Sequence, residues 1–223
     1  MSGEHAPATE TARALRLAAL LASRLCHDVS GLLGTMMGAL DLAQDDPEMA
    51  GEALPLAGEA SQELAQRLRL LRAAWGATGE PLGLPALQEL AEGMPARRRV
   101  SLDLAGLREG AGFAPEPGRL VLNLLLLASE SLPGGGRLAL TGDPGREIVV
   151  AIEGPRAAWA SGLAKMLIDP DAAWEMLDGA RTVQAPLTVL LARAAGLRLR
   201  LLLPGGPAEA ERPPPLLASF AAE

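Results

Sequence analysis

The sequence has no tyrosine, two phenylalanines, one cysteine and two histidines in 223 residues. So few rings leave an aliphatic core as the only option, and a hydrophobic content of 49%, rich in leucine and alanine, can supply it. That texture favours helices. The single cysteine, Cys26, excludes an intrachain disulfide and a cysteine-cluster metal site. Its expected place is a buried or half-buried position on a helix flank, as a small residue rather than a reactive thiol. Two distant histidines, His5 and His27, with no His-Glu spacing give no ligand set for a metal enzyme. They also leave no second histidine to act as the base of a serine or cysteine hydrolase. A long apolar run is missing too. Leu120 to Ala128 is broken by Asn123 and falls far short of the about 20 residues that span a bilayer. Residues 1–10 carry acids rather than a basic run before an apolar core, so no signal peptide is expected. They read as a flexible N-terminus of a soluble, cytoplasmic protein. Positive charge is not in surplus: the net charge is −7, which argues against nucleic acid or an anionic membrane as partner.

What is present centres on Arg24-Leu25-Cys26-His27-Asp28-Val29-Ser30-Gly31. At about 100° per residue, a helix over Thr11 to Leu42 gathers Leu15, Ala18, Ala22, Leu25, Val29, Leu33, Met36 and Leu40 on one face. His27 points the other way, with Arg16, Leu20, Ser23, Arg24, Gly31, Gly34 and Gly38. Each exposed glycine costs a helix about 1 kcal/mol relative to alanine. Low relief around a protruding imidazole would let another protein's surface approach. An exposed histidine on an alanine-rich helix with incidental glycines fits the same periodicity.

The first helix is expected to end near Ala43. Asp46 reads as an N-cap and Pro47 as a first helical position, opening a second helix to Trp75. Leu54, Ala57, Ser61, Leu64, Leu68, Leu71 and Trp75 form a coiled-coil-like seam, with Arg67, Arg69 and Arg72 off it. Pro55 should kink this helix or move its start. The two helices make a hairpin that cannot bury both its sides alone, so a homodimer, paired as a four-helix bundle, is expected. A linker at Gly76 to Gly83 leads to short helices and strands. A helix is read at 84–92, a strand at 99–104, a loop at 110–118 and a helix at 119–132. A strand pair follows at 137–141 and 147–152, then short helices near 157–166, 172–177 and 186–195, and a strand at 197–203. The tail from Pro204 reads as irregular. The expected domains are a flexible 1–10, a helical hairpin over 11–77, an α+β domain over 84–204 and a tail over 205–223.

A hairpin with His-Asp on its first helix, followed by an α+β domain, resembles a sensor histidine kinase core. More closely it resembles the alphaproteobacterial histidine phosphotransferases of the ChpT type. Leu25-Cys26-His27-Asp28, Asp45-Asp46-Pro47-Glu48, Arg67-Leu68-Arg69-Leu70-Leu71-Arg72 and Val183-Gln184-Ala185-Pro186 with Leu190-Leu191-Ala192-Arg193 carry the likeness. Gly31 and Leu32 stand where that family usually has Ser-Pro. The resemblance implies a degenerate kinase-type (Bergerat-type) ATPase-like sandwich in the second domain. Its kinase Asn-x-x-x-Asn pattern keeps Asn123 but has Leu127, which cannot ligate a hard cation. Ile152 replaces the aspartate of the adenine-reading loop, Ile152 to Arg156 keeps one glycine of two, and Gln184 to Leu187 has no glycine where a phosphate lid would lie. Gly134-Gly135-Gly136 reads as a turn.

The resemblance thus implies a phosphotransferase without its own nucleotide. His27 would take a phosphoryl group from a receiver-domain aspartate of a hybrid histidine kinase and pass it to a response-regulator receiver. The chain would bind no cofactor or metal; Mg²⁺ would sit on the partner receiver. An imidazole is a competent nucleophile near neutral pH. Asp28 would hold the ring nitrogen that does not attack, or is simply a solvated acid. Arg24 would offset phosphoryl charge, or else form a salt bridge. Leu20, Gly31, Gly34 and Gly38 would form the docking surface. A sensor-type histidine kinase with a divergent ATP site and a non-catalytic adaptor for response regulators remain as alternatives.

Overall fold

A computed structural model describes residues 5–77, 79–203 and 212–220. Part of the expected flexible N-terminus and most of the tail lie outside these residues. From His5 onward the chain is already helical. Helix α1 (His5–Asp45) and helix α2 (Ala50–Trp75) form an antiparallel hairpin. Between them, Asp46 Oδ1 accepts the Glu48 amide at 3.0 Å. Asp46 therefore caps the turn, and α2 starts at Ala50 instead of at Pro47. Pro55 neither ends α2 nor moves its start, and Gly51, whose carbonyl a donor at 55 would have paired, is exposed.

The covered stripe of α1 differs from the expected one. Leu17, Leu21, Arg24, Asp28, Leu32, Met36, Ala39 and Ala43 are the buried or half-buried positions along it. The expected apolar face lies about a quarter turn away, and Leu15, Leu25, Leu33 and Leu40 on it are exposed. On α2, Ala53, Ala57, Ala60, Arg67, Leu70, Leu71 and Ala74 are buried. Leu54, Ser61 and Leu68 of the expected seam are exposed instead, and Arg67 is inside. One hairpin partner covers only one flank of each helix, whereas the apolar sequence spans two.

The α/β part follows. β1 (Leu82–Gly83) pairs antiparallel with β3 (Gly112–Phe113). Helix α3 (Leu84–Ala91) leads to β2 (Val100–Leu107), and helix α4 (Pro115–Glu130) to the strand pair β4 (Gly136–Asp143) and β5 (Glu147–Glu153). Short helices α5 (Leu163–Ile168) and α6 (Ala172–Glu175) precede α7 (Gln184–Ala194), β6 (Arg198–Leu201) and β7 (Leu216–Ser219). The main sheet has the order β2-β4-β5-β7-β6. β2 and β4 run parallel with α4 in the crossover between them, and the other neighbours are antiparallel. This is a mixed α+β fold, with the helical hairpin first and the sheet after it.

Three local expectations change. The supposed loop over 110–118 contains β3 and the first turn of α4, where Pro115 and Pro117 sit at positions that need no amide donor. The helix expected from Ala157 begins at Leu163, after the αL residue Gly162. The tail expected to be irregular supplies β7, inserted between β5 and β6. That strand is anchored from both ends. The Trp159 indole donates to the Pro214 carbonyl at 2.7 Å. The chain's two phenylalanines, Phe113 and Phe220, meet edge to face at 5.9 Å.

Helix α4 is the centre of the core. From Leu120 to Ser129 every side chain is buried, which its nearly continuous leucine run permits. It packs on the sheet, on α7 and on the C-terminal half of α2. Leu138, Leu140, Ile148, Val150, Ile152, Leu216 and Ala218 face it by strand alternation. Each leucine so covered contributes about 1.5–3 kcal/mol. A second cluster, around Leu127, Met166, Ala173 and Val189, receives Leu17 from α1. Nearby, the Arg13 guanidinium lies 5.7 Å from the Trp174 ring centroid. The hairpin and the α/β part therefore share packed surface.

Candidate functional site

His27 stands on α1 with 57% of its side chain accessible. Its Nδ1 is 3.3 Å from Asp28 Oδ1, which leaves Nε2 as the nitrogen facing outward. Gly31, Gly34 and Gly38 lie on the same side; a Cβ added at any of them would touch nothing within 4 Å. Leu20 is half-buried about two turns earlier. Ser30 and Thr35 donate their hydroxyls back to the Cys26 and Gly31 carbonyls, at 2.6 and 3.1 Å. The helix face around the imidazole is thus flat, open and lined by backbone. Cys26, expected to be buried or half-buried, is exposed, because it lies on the flank that α2 does not cover.

Arg24 does not stand beside the imidazole as an open cation. It is 8% exposed, and its long side chain turns inward between two carboxylates. Its Nε donates to both oxygens of Asp28 at 3.0 Å, and its Nη2 donates to Glu130 Oε1 at 2.6 Å. The salt-bridge reading of Arg24 therefore describes the structure. Burial lowers its proton affinity, but Glu130 and Asp28 together outweigh burial and raise it. Burial also raises the Glu130 carboxyl above the ordinary glutamate value, against the pull of Arg24. Arg67, buried on α2, donates its Nε to the Gly93 carbonyl at 2.5 Å. Burial lowers its pKa, opposed by the charges of Asp28 and Glu63. The sequence reading does not single out Glu130, and it sets Arg67 off the seam rather than inside. The signals for them are an acid placed directly after the buried stretch Leu120 to Ser129 and a cation at an inner helical spacing.

A model of the histidine phosphotransferase C-terminal domain matches residues 84–206. The chain belongs to the histidine phosphotransferase family. This phosphotransferase is 27% identical over 205 residues to the protein phosphotransferase ChpT of Brucella abortus (strain 2308), covering 86% of this chain and 92% of that one. A 1.7 Å structure of a bacterial phosphotransferase shares its fold, with a TM-score of 0.72 over 92% of this chain and 96% of the other, at 24% identity. Among the described residues of the phosphotransferase, no helix is long and apolar enough to cross a membrane.

The positions that the sequence resemblance compares with a kinase nucleotide site are engaged in packing in this phosphotransferase. Asn123 is fully buried. Its Nδ2 donates to the Ala74 and Arg119 carbonyls at 2.8 and 2.9 Å, and its Oδ1 accepts from Gln184 Nε2 at 3.0 Å. It pins α4 to the end of α2 and to α7. Leu127 and Ile152 are buried apolar side chains. Gly135 and Gly136, at φ of 78° and 145°, form the turn into β4. There the backbone of Gly154 packs against Gly135 and Gly136 so closely that a Cβ would collide. The Asn123 amide is thus engaged on both its nitrogen and its oxygen inside the fold.

Proposed function

We propose that this phosphotransferase is a phosphorelay intermediate that is charged and discharged on His27. The donor is the aspartyl phosphate of a hybrid kinase's receiver domain, and the acceptor is the receiver aspartate of a response regulator. The observation that carries the reading is the pairing of His27 Nδ1 with Asp28 on an otherwise open, flat helix face. With Nδ1–H donated to Asp28, the Nε2 lone pair attacks phosphorus in line. The phosphorus–oxygen bond to the receiver aspartate breaks, and the carboxylate leaves with the electron pair. The ring becomes a phosphoimidazolium that keeps its Nδ1 proton, and Asp28 stabilises that positive charge. The reverse step delivers the group to the next receiver. Catalysis is then mostly positioning and neutralisation, with Mg²⁺ supplied in the partner's own site.

Leu20, Gly31, Gly34 and Gly38 are the proposed footprint of the receiver. The α/β part is proposed as a degenerate kinase-type ATPase-like sandwich that binds no nucleotide, a reading supported by the inward engagement of Asn123. The exposed leucines of α1 and α2 support a homodimer with the hairpins joined as a four-helix bundle. The deciding experiment incubates the protein with a radiolabelled phospho-receiver. Acid-labile label on the wild type and none on His27→Ala is the expected result. Label on His27→Ala, or labelling of the protein by ATP alone, contradicts the proposal.

A further inference from the structure

We propose that Glu130, the last residue of α4, is a positioning residue for His27, acting through Arg24 and Asp28. The inference rests on the reading of His27 as the phosphoryl acceptor. Glu130 is 106 positions from Arg24 in sequence, yet its Oε1 accepts Arg24 Nη2 at 2.6 Å. Arg24 passes the constraint on through Nε to both Asp28 oxygens, and Asp28 Oδ1 faces His27 Nδ1 at 3.3 Å. A guanidinium is planar, so holding one edge sets the orientation of the other. An i,i+4 pair on a helix is worth only a few tenths of a kcal/mol; alone it would let the Asp28 carboxylate swing. Glu130 supplies the missing fixed point, because the ten residues before it on α4 are all buried in the core.

Opposite charges alternate around this chain of contacts. Arg24 on α1 and Arg67 on α2 face Asp28 on α1 and Glu130 on α4, with Glu63 on α2 beside Arg67. A buried ion pair is weak evidence for stability, since an apolar set of the same volume can hold a fold as well. The cluster here meets solvent chiefly at the exposed imidazole that Asp28 contacts, while the Glu130 side chain keeps 25% of its surface accessible. The group spent on orienting that ring comes from the α/β part, so that part acts on transfer chemistry through a side chain of its own.

The test uses full-length protein carrying Glu130→Ala, Glu130→Gln or Arg24→Lys, the last keeping the charge but losing the planar fork. Glu89→Ala is the control, because Glu89 joins α3 to α2 through an exposed pair with Arg69. Two readouts are taken. One is the rate of label uptake from a response-regulator receiver charged with radiolabelled acetyl phosphate. The other is the imidazole nitrogen shifts of His27, assigned against His27→Ala. In the three variants uptake should slow by about tenfold, the scale of a small misplacement of reacting groups. Their His27 nitrogen shifts should move from one tautomer toward an average of two, while Glu89→Ala matches wild type on both. Variants that melt earlier but keep wild-type shifts and uptake overturn the proposal. Shifts that move in a protein whose wild type never takes label support the positioning chain and remove the phosphoryl reading instead.

Discussion

His27 Nδ1 lies 3.3 Å from Asp28 Oδ1, although the imidazole is 57% accessible and the carboxylate only 9%. The two neighbours in sequence thus belong to different environments, one facing a partner and one facing the interior. Asp28 belongs inside because Arg24 receives it there. A solvated acid at this position would tumble; a paired one presents a fixed oxygen to the ring.

Replacing Asp28 by asparagine should slow phosphoryl uptake on His27 by about 10²-fold, the lower range for losing a positioned acid–base partner. The amide is isosteric but cannot neutralise the phosphoimidazolium. Rapid-quench measurement of label transfer from a phospho-receiver checks this. An unchanged rate would mean that Asp28 serves only the Arg24 salt bridge.

The exposed stripes on α1 and α2 predict assembly. Leu25→Glu combined with Leu68→Glu places charge on both and should convert a two-chain species to one chain in sedimentation velocity. The far-ultraviolet circular dichroism should be retained. A wild type that sediments as a single chain at micromolar concentration would refute the bundle.

Asn123 is a structural staple in this chain, so Asn123→Ala should cost about 1–3 kcal/mol, the range for stranding buried hydrogen-bond partners. Urea unfolding reads this directly. Isothermal titration with ATP and magnesium should show no heat for either protein. A loss of nucleotide affinity in the variant would instead mark Asn123 as a ligand.

Burial raises the Glu130 carboxyl above its ordinary range, and that fixes the sign of a pH effect. A carboxyl with a raised folded pKa stabilises the fold below its unfolded pKa, and that contribution is lost as pH rises through the folded value. The stability of wild type minus that of Glu130→Gln should therefore shrink with rising pH across that window. Denaturant titrations over a pH series test it, and a difference that widens with pH contradicts it.

Much of this arrangement was legible in the chain. Leucine spacing exposed both long helices, alternation exposed β2, β4, β5 and β6, and the exposed imidazole with its glycine flank followed from a helical wheel. The covered face of α1 did not follow, because two adjacent apolar flanks look alike until one knows which neighbour arrives first. Arg24 was placed on the outside by its angle, but a long side chain can bend back to any carboxylate within reach. Glu130 supplied one from the far end of α4, and no local pattern announces a pair so remote in sequence. β7 was hidden by the prolines before it, which read as irregular even though they only deliver the strand to its slot.

That slot has a consequence for how the molecule comes into being. Among the described residues, Arg198–Leu201 joins the main sheet through Leu216–Ser219, so during synthesis β6 waits for a strand that leaves the ribosome after it. Until that strand arrives, β5 presents an open border on which another nascent chain can mispair.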